Sequence, residues 1–206
     1  RSEKFHNAIQ DTIARNGAVL IPAFSLERTQ EILFELNNMI EGGELPRVPV
    51  FMDSPLAARV TEVYRNAPEF FKEETRRQIE AGDDIFEFPG LSFTESVNDS
   101  KAIFDEPGAK VVIAGSGMST GGRIVHHEKR YLDDPANTIV FVGYQAAGTL
   151  GRAIQDGASR VEIYGSEVEV RAKIVTITGY SGHKQRDDLV VFVDNARHNQ
   201  IGRAHV

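Results

Sequence analysis

The segment 110–152, KVVIAGSGMSTGGRIVHHEKRYLDDPANTIVFVGYQAAGTLGR, constrains the fold more than any other part of the chain. It holds two short β-branched runs, each passing directly into a glycine-rich turn and then into a helical pattern. The turns are GSGMSTGG at 115–122 and GYQAAGTLG at 143–151. Such runs alternating with helices predict parallel strands whose faces are covered by helices. In an open parallel sheet, ligands sit beyond the carboxyl ends of the strands, where these turns gather. Glycines there let backbone N–H groups approach a negative group, and helix N-termini add a favourable dipole. Two such turns in one βαβ unit suggest a phosphate-bearing ligand. The same glycines also make tight strand-to-helix connections, and spacing alone leaves both readings open.

The alternation extends to either side. Further strands are expected over 18–21, 48–52 and 91–94, with helices over 3–15, 26–40, 54–66, 68–82, 97–104 and 123–132. After Gly157 the pattern changes: 160–164 and 167–176 alternate like antiparallel strands around Gly165-Ser166, a plausible hairpin turn, and a helix follows over 185–195. The expected architecture is α/β, a doubly wound parallel sheet over 1–156 followed by the beginning of a different sheet over 157–198. The chain opens mid-helix without an N-cap, and 200–206 break the pattern after a helix. A partial chain with a non-native tail is the expectation.

Composition narrows the chemistry. With 206 residues and 41% hydrophobic content the chain can bury a substantial core. It has no cysteine, so a disulfide framework and a thiolate metal site are both excluded. No run approaches the roughly 18 apolar residues of a membrane span, and no signal-peptide pattern opens the chain, so the expected location is cytoplasmic, with no membrane partner. The net charge of −7 argues against wrapping a long duplex, while leaving room for a narrow cleft with a few local arginines.

Five separate motifs carry a family resemblance. PAFSLERTQEIL (22–33), VFMDSPLA (50–57), GSGMSTGGRIVHH (115–127) and VGYQAAGTLGR (142–152) resemble the β-CASP domain of RNA-processing metallo-β-lactamase-fold nucleases. ITGYSGHKQRDDLVVFV (177–193) resembles the return of that chain into its metallo-β-lactamase core. The resemblance implies a zinc-dependent phosphodiesterase in which the β-CASP unit clamps single-stranded RNA over a pair of zinc ions. The family's His-x-His-x-Asp-His metal motif is absent from the chain. No metal ligand is therefore expected here, and the chain by itself is expected to be inactive.

His183 lies in a Gly/Ser turn just after a strand, where a side chain is presented rather than packed. By resemblance it donates a proton to the leaving oxygen, a task suited to an imidazole. From the residues alone it reads first as a surface histidine near a helix N-cap. In the phosphate reading Ser116, Gly117, Met118, Gly121 and Gly122 hold RNA through the first turn. Gly148, Thr149, Gly151 and Arg152 do so through the second, the Arg152 guanidinium adding a bidentate contact. In the plain reading Arg152 pairs with an acidic neighbour. Ser25 and Arg28 open a helix at the same edge; Arg28 suits a phosphate or Asp53 equally. Asp53 and Ser54 read first as caps of the following helix. His126 and His127 point roughly 100° apart on a helix, so one is expected to pack against the sheet and the other to lie near the cleft.

The leading function is thus the substrate-clamping part of a zinc-dependent nuclease acting on single-stranded RNA, with a homodimer allowed for. The alternatives are a non-catalytic RNA-binding scaffold of the same family and a Rossmann-like nucleotide-binding enzyme. Against the last, neither dinucleotide nor P-loop spacing occurs in the chain.

Overall fold

The computed structural model describes residues 1–180 and 186–198. Six strands form one parallel sheet: β1 (Ala18–Pro22), β2 (Val50–Asp53), β3 (Leu91–Phe93), β4 (Lys110–Ala114), β5 (Thr138–Phe141) and β8 (Lys173–Thr176). Their order across the sheet is β3-β2-β4-β1-β5-β8. The central strand β1 pairs with β4 from Ala18↔Lys110 to Pro22↔Ala114 and with β5 at Val19↔Thr138 and Leu20↔Ile139. Because every strand runs the same way, all six carboxyl ends lie on one edge.

The three central strands are buried along their whole length, which is why they read as continuous apolar runs rather than alternating ones. Alternate residues serve opposite faces. Val19, Ile21, Val111, Ile113 and Val140 belong to one core, with Phe5 and Ile9 of α1 (Ser2–Ala14) and Ile32, Leu33 and Leu36 of α2 (Arg28–Glu41). Ala18, Leu20, Val112, Ile139 and Phe141 belong to the other. There they meet Ile103, which ends α5 (Val97–Ala102), Ile124 and Val125 of α6 (Arg123–Tyr131), and Ile154 of α7 (Leu150–Gln155). The sheet is therefore wound on both faces, as the sequence predicts.

Two of the expected boundaries are displaced by packing or by proline. The charged segment 68–82 is not one helix: a 3-10 turn at Pro68–Phe70 gives way to extended residues and then to α4 (Glu73–Glu80). Phe71 is drawn into an aromatic group with Tyr64, on α3 (Pro55–Arg65), and Phe86, at centroid distances of 6.2 and 6.1 Å. This tertiary contact overrides helix continuity. β2 begins two residues later than expected, after Pro49, whose missing N–H keeps it out of the ladder while its carbonyl accepts from Val111.

The largest correction concerns the expected second sheet. β6 (Arg160–Ile163) and β7 (Ser166–Glu169) do form a separate antiparallel hairpin about Tyr164-Gly165. The expected strand 167–176 is nevertheless broken. Arg171 and Ala172 both donate to the Leu132 carbonyl, and the chain then re-enters the main sheet as β8, parallel to β5 from Thr138↔Lys173 to Phe141↔Thr176. Alternating residues in EVEVRAKIVT are compatible with either strand direction, so periodicity could not tell these pairings apart. The last element is α8 (Arg186–His198).

Candidate functional site

Both glycine-rich turns sit at the carboxyl edge, flanking the end of β1, and they touch. Gly151 N–H donates to the Met118 carbonyl at 3.3 Å, and Gln145 Nε2 donates to the Gly117 carbonyl at 2.9 Å. The contact depends on missing side chains. A Cβ on Gly151 would lie 2.0 Å from Gln145 Oε1 and 2.9 Å from the Met118 oxygen, and one on Gly117 would lie 2.7 Å from the Phe24 ring. Phe24 belongs to the turn after β1. Its carbonyl accepts from the N–H and hydroxyl of Thr29, while Gln30 Nε2 donates to the Ser25 carbonyl. Three successive post-strand turns are thus tied into one surface.

Within that surface the side chains are more occupied than the sequence suggests. Ser116 Oγ accepts from Thr120 N–H at 2.9 Å, and Thr149 Oγ1 caps α7 by accepting from Arg152 N–H at 3.2 Å. Among the described residues, no hydrogen bond uses the amides of Gly117, Met118, Gly121, Gly122 or Gly148. The free donors of the two turns themselves are therefore backbone ones. Arg152 is exposed and its Nε donates to Asp156 at 2.7 Å, which leaves the outer guanidinium nitrogens to solvent. Ser25 Oγ lies 3.4 Å from Ser54 Oγ. Arg28 is buried, pairs with Glu31 at 2.5 Å and lies 5.8 Å from the centre of the Tyr180 ring. It is not the partner of Asp53. His183 lies outside the described residues; Tyr180, three positions before it, is buried and donates its hydroxyl to Glu35.

A buried polar centre stands beside the first turn, and sequence reasoning missed most of it. Asp53, fully buried at the end of β2, does not cap α3; Ser54 does, accepting from Ala57 N–H at 3.2 Å. The Asp53 carboxylate instead accepts four hydrogen bonds. Thr94 Oγ1 and Arg123 Nη1 reach Oδ1 at 2.6 and 2.7 Å; Ser100 Oγ and His127 Nε2 reach Oδ2 at 2.6 and 2.7 Å. Burial alone would raise this carboxyl, but the bonds from His127, Ser100 and Thr94 outweigh it and hold the group at about 2. An ionised acceptor requires the proton on His127 Nε2, and Nδ1, also buried, has no partner. Arg123 begins α6 directly after Gly122, which adopts φ +75°, and its guanidinium also donates to the Thr94 and Glu95 carbonyls. Asp53 thereby fixes where the first turn ends. The expectation of one packed and one open histidine holds in part: His127 is buried, and exposed His126 lies 3.3 Å from the hydroxyl of Tyr164.

The middle of the same turn is held by a second acid. Ser119, at φ +53°, donates its hydroxyl to Glu128 Oε1 in α6, while Glu128 Oε2 is buried without a partner. Burial drives this carboxyl up to about 8, the Ser119 bond opposing. It is protonated at neutral pH.

This chain of contacts has a family. Residues 29–154 match the Beta-Casp domain. The chain belongs to the Beta-Casp family. It is 44% identical over 187 residues to Ribonuclease TTHA0252 of Thermus thermophilus, covering 91% of this chain and 43% of that protein. It is 33% identical over 191 residues to Transcription termination factor FttA of Methanosarcina mazei, and 34% over 195 residues to the factor of that name in Thermococcus kodakarensis. Each match covers at least 90% of this chain and 30% of the relative, so the chain spans less than half the length of these proteins.

Among the described residues no three or more His, Asp or Glu side chains converge as metal ligands would. These residues do not fit the zinc pair that the resemblance implies. No helix among them is long and apolar enough to cross a membrane.

Proposed function

We propose that this chain is the RNA-holding part of a Beta-Casp nuclease that hydrolyses phosphodiester bonds in single-stranded RNA. The observation that carries the reading is the joined pair of glycine turns at the sheet's carboxyl edge, with unused backbone amides facing no protein acceptor. Amides in this arrangement suit phosphate oxygens, which position a strand without reading its sequence. The names of the ribonuclease and termination-factor relatives support RNA as the ligand. In this reading the outer nitrogens of Arg152 add a charge-assisted contact, and His183 gives a proton to the leaving oxygen. Zinc ions would need ligands beyond the described residues, and no step here is drawn through them. Exposed Leu189, Val191 and Phe192 on α8 are what a helix shows when it packs on a further part of the protein, which supports assigning the end of the chain to a second unit.

The test is Arg152→Ala in the complete protein, with affinity for labelled single-stranded RNA measured by anisotropy. Binding should weaken by about 1.5–3 kcal/mol, to a similar extent for unrelated RNA sequences. Thermal stability should hardly change, because a solvent-screened Arg–Asp pair contributes little. Unchanged affinity would remove Arg152 from the interface. RNA bound but never hydrolysed by the complete protein would favour the non-catalytic scaffold.

A further inference from the structure

The carboxyl edge carries two aromatic rings that no part of the fold absorbs. Phe24, in the turn after β1, is 43% exposed, and Tyr144, in the turn after the neighbouring β5, is 71% exposed. Both rings stand on anchored backbone. Phe24 stands with one face against Gly117, whose missing Cβ makes room for it, and its backbone is fastened by Thr29. Tyr144 lies between Gly143 and Gln145, and Gln145 is 99% buried (1% exposed), its amide donating to the carbonyls of Gly117 and Gly143. A buried anchor of this kind fixes the backbone and leaves the adjacent ring in solvent. Exposed rings on anchored, adjacent turns, beside unused amides and a half-exposed arginine, supply the two components by which proteins hold single strands: flat faces for bases and a polar track for phosphates.

We propose that Phe24 and Tyr144 form a stacking platform for the bases of single-stranded RNA whose phosphates lie on the two glycine turns. The platform rests on the RNA-holding reading above and adds the contact that distinguishes a nucleic acid from a bare polyanion. Every base has a π-face, so the platform tolerates all four and favours purines by contact area.

The experiment uses the complete protein and three fluorescein-labelled probes of equal length: oligoadenylate, oligouridylate and an abasic ribose-phosphate oligomer. The parent should bind oligoadenylate tightest and the abasic oligomer weakest. Tyr144→Ala should weaken binding of both base-bearing probes by about 5- to 100-fold and leave the abasic probe unchanged. Tyr144→Phe should keep most of the affinity, because the ring and not the hydroxyl is the contact. Tyr144 carries the decision, since truncating so exposed a ring leaves the packing of the fold intact; Phe24→Leu is the companion, keeping bulk against Gly117 while removing the aromatic face. Equal weakening on all three probes, no weakening on any, or Tyr144→Phe losing as much as Tyr144→Ala would overturn the platform. Equal binding of all three probes by the parent would overturn it while leaving the phosphate reading intact. A parent that binds none of them would overturn both. A fall in the melting temperature of Tyr144→Ala with RNA affinity intact would place the ring under another part of the protein instead.

Discussion

Replacing Asp53 with Asn tests whether the buried centre beside the first turn holds the fold as the geometry implies. The carboxylate accepts four hydrogen bonds at 2.6–2.7 Å and pairs with Arg123 in a fully buried position. A carboxyl held at about 2, against an ordinary 3.8, contributes roughly 2 kcal/mol of stability at neutral pH. Because the folded value is the lower one, that contribution is complete above pH 4 and is lost as pH falls towards 2. Asn keeps the size of the side chain but presents an N–H pair where two donors already point, and it leaves Arg123 without its counter-charge. Asp53→Asn should therefore cost about 2–3 kcal/mol at pH 7, and Asp53→Ala about 3–5 kcal/mol, the usual cost of breaking a buried pair. Urea denaturation at pH 7 and across pH 2–5 measures both effects. The Asn variant should also lack the parent's loss of stability between pH 4 and 2. Equal stability at pH 7, or the same acid dependence in parent and variant, would refute the assignment of Asp53 as the charged acceptor of this centre.

Two further outcomes follow from the same edge. Gly151→Ala should destabilise by about 1–3 kcal/mol, since its Cβ would meet the buried Gln145 side chain at 2.0 Å; a neutral effect in thermal denaturation would mean that the two turns are not joined in solution. Glu128→Gln should stabilise the protein near neutral pH. The folded carboxyl titrates near 8 rather than 4.5, so it imposes no penalty below pH 4.5 and an increasing one as pH rises towards 8, on the order of 3 kcal/mol at pH 7; denaturation curves that keep the parent's pH dependence in the Gln variant would contradict this.

Much of the architecture was legible because its signals are local. The runs at β1, β4 and β5 are apolar and β-branched at consecutive positions, which only strands buried on both faces require. The glycine turns followed from their position after those strands. What stayed hidden depends on distant partners. The direction of β8 is decided by β5 and by the Leu132 carbonyl, neither of which leaves a trace in EVEVRAKIVT. The role of Asp53 was masked by its neighbour. DSPLA reads as a cap, and Ser54 performs that task, while the four partners of Asp53 lie 41–74 positions away. One usable signal existed: a strand-terminal acid in a sheet that also offers an arginine and a histidine four apart on one helix face, as Arg123 and His127 are.

The electrostatics of the edge are compatible with the phosphate site proposed above, although the chain is acidic. The net charge of −7 would repel a phosphate if it were spread evenly. Near the first turn, however, the two buried acids are silent. Asp53 is ionised but enclosed by Arg123 and three further donors, and Glu128 is held neutral at physiological pH by its own burial. At the second turn Asp156 is matched by Arg152. Unpaired backbone amides and the N-terminal end of α6 are then favourable to an anion at the turns. The buried acids beside the turn thus serve its geometry without opposing its charge, which a surface carboxylate in either position could not do.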